Sequence, residues 1–156
     1  MDARALLATT AGRLRDAGVP GESRVGPVPR RFGRPRPGML GEVWRLGALC
    51  LDADGGLYAT GEVLVVTDPT HPNHRSSVAL RRNELRGMLR KAGVPVGTTV
   101  VVDAVPLDVD DPVPPLVRTG DGLGVLWTAG GDPIPLERYL GERADLLIDP
   151  PRGATD

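Results

Sequence analysis

The chain has 156 residues, 40% apolar and 25% charged, with a formal net charge of −1; that is the make-up of a soluble globular protein with one core, and its near-neutral balance argues against a surface that is basic throughout. A single cysteine, Cys50, excludes an internal disulfide framework and any multi-cysteine metal centre. No apolar run approaches the roughly 18 residues of a membrane span, and residues 1–20 lack a basic start followed by an apolar stretch, so a cytoplasmic protein with no membrane partner is expected.

In chain order, residues 3–17 have the spacing of an amphipathic helix, with Asp2 as N-cap, Leu6, Leu7, Ala11 and Leu14 on one face, and Gly18 and Pro20 as its stop. Residues 18–40 are rich in Gly, Pro and Arg and read as an irregular, extended arm, in which Arg24, Arg30, Arg31, Arg34 and Arg36 are crowded together. Lys91 is the only lysine among 19 basic residues, a bias that high-GC coding explains better than function does.

The segment Val43–Val66, VWRLGALCLDADGGLYATGEVLVV, has strand-forming runs on both sides of Asp52-Ala53-Asp54-Gly55-Gly56 and predicts a β-hairpin with strands 43–51 and 57–66. Alternation places Trp44, Leu46, Ala48 and Cys50 on one face and Val43, Gly47, Leu49 and Leu51 on the other. Two apolar faces suit a central strand covered on both sides. A loop with Pro69 and Pro72 follows, and then a helix over about 77–92. Its apolar stripe is Val78, Leu85, Met88, Leu89 and Ala92, beside a ridge of Arg82, Arg86 and Arg90 at four-residue spacing. Arg81 falls toward the apolar side, which predicts an internal partner.

Thr98–Val105 is β-branched and predicts a strand. Asp108–Pro115 is acidic and proline-rich, hence a loop. Short strands are expected near 116–118 and 124–128, separated by a Gly-Asp-Gly turn, and Pro135 opens a last helix over about 135–148 with Leu136, Leu140, Ala144 and Leu147 buried. The order α, β, β, α, β, β, β, α indicates the α+β class: a small, mainly antiparallel sheet built on the central hairpin and packed by helices, in a single domain 1–156. One echo stands out, LRDAGVP at 14–20 against LRKAGVP at 89–95. Gene duplication would produce it, and so would a helix-stop signal used twice.

Chemistry-bearing residues are few. Asp68, His71 and His74 supply two imidazoles and a carboxylate, a ligand set for zinc or non-haem iron; the spacing does not match a regular helical pair, and the prolines between them better suit an exposed, solvated turn. Cys50 lies mid-strand without the activating charge or helix N-terminus that a nucleophilic thiol needs, and reads as a core residue. Gly120-Asp121-Gly122-Leu123-Gly124 lacks the spacing of a dinucleotide fingerprint and suits a turn. No cofactor is expected. Arg30, Arg31, Arg34, Arg82, Arg86 and Arg90 are the candidate binding residues, since guanidinium forks suit phosphates and carboxylates alike.

At VWRLGALCLDADGGLYATGEV and PLERYLGERADLL the chain resembles a poorly characterised group of small, Arg-rich proteins from high-GC bacteria, some of which carry a glutaminase label. The resemblance covers much of the chain, rests on strands, a turn and a helix, and implies no established activity. A serine-dependent glutaminase would resemble β-lactamases and carry Ser-x-x-Lys, whereas Met88 stands three positions before Lys91. The leading expectation is therefore a protein-interaction or self-associating module without catalytic activity, with a protein partner or homo-oligomer. The alternatives are nucleic-acid binding through the same arginines, and a hydrolase or metal-dependent enzyme using Asp68, His71 and His74.

Overall fold

A computed structural model describes residues 2–67, 77–120 and 122–151, the side chains of Ser77 and Val78 excepted. Along the chain lie α1 (Ala3–Asp16), β1 (Glu22–Val28), β2 (Arg36–Leu46), β3 (Leu49–Leu51), β4 (Leu57–Ala59), β5 (Glu62–Val65), α2 (Ser77–Lys91), β6 (Thr99–Val102), β7 (Val105–Pro106), β8 (Leu116–Thr119), β9 (Gly122–Val125), β10 (Ile134–Pro135) and α3 (Leu136–Ile148). The fold is α+β. Its main sheet is mixed, in the order β5-β6-β1-β2-β3-β4-β7, and a second antiparallel sheet runs β10-β9-β8. The β1–β6 pairing, with Val25 opposite Val102, is parallel.

Where one core was expected, the chain forms two compact units, each with its own buried cluster. Unit 1 comprises residues 1–21, 42–60 and 105–156; unit 2 comprises 22–41 and 61–104, so β2 changes unit between Gly41 and Glu42. In unit 1, Leu7, Ala11 and Leu14 of α1 pack with Leu136, Tyr139, Leu140 and Ala144 of α3 and with Leu46, Leu49 and Leu51. In unit 2, Leu89 of α2 is the buried anchor against Val25, Leu64, Val100 and Val102, with Leu85 half-buried beside it. Among the described residues no helix is long and apolar enough to cross a membrane.

The repeated heptapeptide is a helix stop in both places. After α1 the N–H groups of Gly18 and Val19 donate to the carbonyls of Arg15 and Leu14, and after α2 those of Gly93 and Val94 donate to Arg90 and Leu89. Both glycines have positive φ. These are Schellman motifs, in which the two paired N–H groups satisfy carbonyls that the helix end leaves open. At the other end of α1, Asp2 occupies the N-cap position without a side-chain capping bond.

Two further expectations need correction. The predicted hairpin is subdivided. Its centre holds: β3 and β4 pair through Cys50 and Tyr58, and the Asp52 carboxylate accepts from the N–H groups of Asp54 and Gly56 and from the Tyr58 hydroxyl. The first strand, however, reverses at Gly47-Ala48, so that Trp44 faces Leu51 and Leu46 faces Leu49. The face expected to carry Trp44, Leu46, Ala48 and Cys50 is thus replaced by one carrying Trp44, Leu46, Leu49 and Leu51, and Cys50 pairs instead with Arg45. A glycine with positive φ in the first position of a two-residue turn is what a type II′ hairpin requires. The second strand breaks at Thr60-Gly61, and β5 pairs with β6 rather than with β3.

The irregular arm 18–40 is the second correction, because β1 and the start of β2 lie inside it. Two of its glycines, Gly26 and Gly38, leave room for neighbouring side chains rather than loosening the backbone. A Cβ on Gly26 would stand 2.8 Å from Leu40, and one on Gly38 would stand 2.8 Å from Val28. Each glycine accepts a large residue over it, a fit that composition alone does not signal. Within it, residues 18–21 and 29–35 remain outside regular elements.

Candidate functional site

The connection 29–35 is too short for a parallel crossover, which takes about a dozen residues, so β1 and β2 form a hairpin with this segment as its tip. Arg30, Arg31 and Arg34 are exposed on it, and Arg36 is exposed where β2 begins. Between them Phe32, the only phenylalanine in the sequence, is 78% exposed, the highest value among the exposed large apolar side chains of the described residues. The Arg31 guanidinium carbon lies 5.8 Å from the centre of its ring, near enough for a cation–π contact that leaves the outer part of the ring to solvent.

Beside the base of this hairpin unit 2 carries a cleft of about 280 Å³. Val25, Pro27 and Val102 come from β1 and β6, Leu85 and Met88 from α2, Pro35 from the end of the tip and Pro37 from the start of β2. Proline is well suited to such a wall, because it offers an apolar ring and carries no backbone N–H to leave unsatisfied. Met88, expected on the buried stripe of α2, is 46% exposed and lines the opening instead. Arg81, Glu84 and Asp103 are the charged lining residues. Arg81 does have the internal partner expected of it: its Nη2 lies 3.7 Å from Asp103, an ion pair open to solvent on both sides. Exposed pairs of this kind contribute little stability, and they exchange partners readily.

The structure separates the six candidate arginines. Arg30, Arg31 and Arg34 stay together on the tip. The ridge on α2 is turned to another purpose: Arg82 Nε is 2.5 Å from the Glu62 carboxylate, and Arg86 Nε donates to the carbonyl of Val65 at 3.1 Å. Val66 gives its N–H to Thr98 and accepts from Gly97, so the Val65 carbonyl points away from β6. Arg82 and Arg86 therefore hold the outer side of β5, the last strand of the sheet. Arg90 is exposed near the end of the same helix.

Asp68, His71 and His74 lie outside the described residues. Among the described residues no group of three His, Cys, Asp or Glu side chains is arranged to hold a metal. Cys50 is fully buried, its sulfur 3.3 Å from the Thr60 hydroxyl, which in turn donates to the Gly47 carbonyl. A thiol so placed acts as a small core residue. The acidic loop folds back on itself through an Asp108–Asp111 bridge. Arg4 pairs with Asp110 there, and this contact holds the Asp110 carboxyl below the usual carboxylate range.

Sequence reasoning missed two features of consequence. Phe32 was legible only as a lone aromatic among arginines, with no periodicity to place it at a hairpin tip. Tyr139 was legible as a residue of the last helix, but nothing local shows that its hydroxyl accepts from the Ala48 N–H and donates to the Leu46 carbonyl, both at 2.8 Å, across the Gly47 turn. Scans against protein-family models, curated proteins and solved structures find no match to this chain.

Proposed function

We propose that the chain is a protein-binding module without catalytic activity, and that it binds through the hairpin tip and the adjoining cleft of unit 2. The observation that carries this reading is an exposed aromatic ring set among arginines beside an apolar, proline-walled cleft. Aromatic and arginine side chains are enriched where proteins dock, and an apolar recess rimmed by charge suits a single anchoring residue. A cytoplasmic setting and kinship with the small Arg-rich proteins of high-GC bacteria, the latter resting on the 43–63 and 135–147 segments, belong to the same proposal. The test replaces Phe32 with the photo-crosslinking analogue p-benzoylphenylalanine in cells, with Val96, an exposed residue of the same unit, as the control position. Discrete crosslinked species should form from position 32 and be absent from position 96. Equal, diffuse labelling at both positions defeats the reading.

Nucleic-acid binding is the second reading, favoured by the exposed Arg30, Arg31, Arg34 and Arg36 with one ring available for stacking. It loses the helix ridge, since Arg82 and Arg86 are engaged on β5. If the tip contacts phosphates, retention on single-stranded DNA or RNA at low salt should weaken when Arg30, Arg31 and Arg34 become Gln, and the salt dependence should flatten by about one counterion per lost contact. No retention at low salt dismisses it.

A further inference from the structure

The tip and the cleft are complementary to each other. The tip is an exposed ring flanked by cations: Arg31 and Arg34 on either side of Phe32, with Arg30 and Arg36 beyond. The cleft is an apolar recess whose charged lining residues are two carboxylates, Glu84 and Asp103, and one guanidinium, Arg81. At about 280 Å³ it falls just below the roughly 300–1,000 Å³ of small-molecule sites, which suits one large side chain better than a whole ligand. Phe32 does not line the cleft of its own chain and stands in solvent.

Resting on the protein-binding reading above, we infer that the occupant of the cleft is the hairpin tip of a second copy of this chain. In this arrangement Phe32 of one chain enters the cleft of the other, against Pro27, Pro35, Pro37, Leu85 and Met88. Its neighbours Arg31 and Arg34 meet Glu84 and Asp103 at the mouth, and Asp103 exchanges its open ion pair with Arg81 for one across the interface. Tip and cleft belong to the same unit, so each chain offers both halves of the contact. That is the self-complementary patch of a two-fold dimer, in which the exchange is reciprocal and closes after two copies. An acidic peptide would satisfy the arginines, but it would bring further negative charge to Glu84 and Asp103. The basic tip of a second copy satisfies both sets at once.

The experiment is sedimentation velocity on the purified full chain over a dilution series, with three variants. Wild type should be a dimer that dissociates on dilution. Phe32→Ser should raise the dissociation constant at least about tenfold, as removal of a central anchor does, while circular dichroism stays unchanged and the melting temperature matches wild type at dilutions where both are monomeric, because the ring is exposed. Charge reversal gives the second readout. Arg31→Glu/Arg34→Glu in one chain and Glu84→Arg in another should each abolish the homodimer, and an equimolar mixture of the two should restore a heterodimer. A wild-type chain that stays monomeric at every concentration overturns the inference, as does a dimer indifferent to both Phe32→Ser and the charge reversals. A monomer that still yields discrete crosslinks to other proteins from position 32 defeats self-association alone. A monomer that yields none defeats the protein-binding reading with it.

Discussion

Replacing Gly61 by alanine is expected to destabilise unit 2 by about 3 kcal/mol, the upper range for forcing atoms into a packed interior. Gly61 lies just before β5, where the chain passes close over the end of β6. A Cβ there would stand 1.9 Å from the Val102 carbonyl oxygen and 2.8 Å from the carbonyl carbon and oxygen of Asp103. All of these are backbone atoms, so no side chain can rotate away, and either β5 or the end of β6 must move. Their pairing, which sets Glu62 opposite Val102 and Leu64 opposite Val100, is the ladder that would slip. Denaturant unfolding measures the loss, and hydrogen exchange should place it at Val100, Val101 and Val102. A midpoint unchanged from wild type would show that the close approach is not a constraint on the fold.

The second large effect is expected at Gly47, where alanine should cost about 3–5 kcal/mol from left-handed strain and broken buried hydrogen bonds together. The residue has φ +68, and its Cβ would meet the Tyr139 hydroxyl at 2.3 Å and the Trp127 ring at 2.7 Å. Relieving that clash displaces the hydroxyl that joins Ala48 to Leu46 across the turn. Tyr139→Phe separates the two contributions. It removes the bonds without the strain and should cost about 1–3 kcal/mol, mainly for leaving the Ala48 N–H without its acceptor. Burial raises the Tyr139 phenol above its ordinary value, against the opposing pull of the Ala48 bond and Arg143. A raised folded value means that its contribution is complete below the unfolded pKa of about 10 and fades as the pH climbs through the folded one. Tyr139→Phe should therefore also remove part of the alkaline loss of stability. If Gly47→Ala proves no worse than Tyr139→Phe, the strain argument fails.

These two glycines mark where the sequence was legible and where it was not. The α+β class, the three helices and the β3–β4 turn follow from spacing and capping chemistry that act within a few residues. Asp52 folds onto Asp54 and Gly56, and each Schellman stop is complete within its own heptapeptide. Gly47 and Gly61 sit inside apolar runs that read as unbroken strands. What makes them break points is Tyr139 in one case and Val102 in the other, residues far along the chain. The arm 18–40 misled for a related reason: Gly26 and Gly38 carry the composition of a loop, yet they are the spaces under Leu40 and Val28. For the candidate site, the arginines were legible as a group. Their division into an exposed tip and a tethered ridge depended on where β5 lies, and the cleft depended on bringing 25–37 against 81–103.

The tethering of Arg82 and Arg86 has its own consequence for how the chain behaves when concentrated. A sheet's terminal strand is a template on which identical strands can add without limit, the route to fibrous aggregates. Here one of the outward backbone groups such a strand would need, the carbonyl of Val65, is already taken by a guanidinium from the same chain. An incoming strand must displace that group to complete its ladder at Val65, and it would leave a charge beside the half-exposed Val63 and Val65. The helix ridge that looked like a nucleic-acid contact thus works as insulation, leaving growth along the sheet disfavoured.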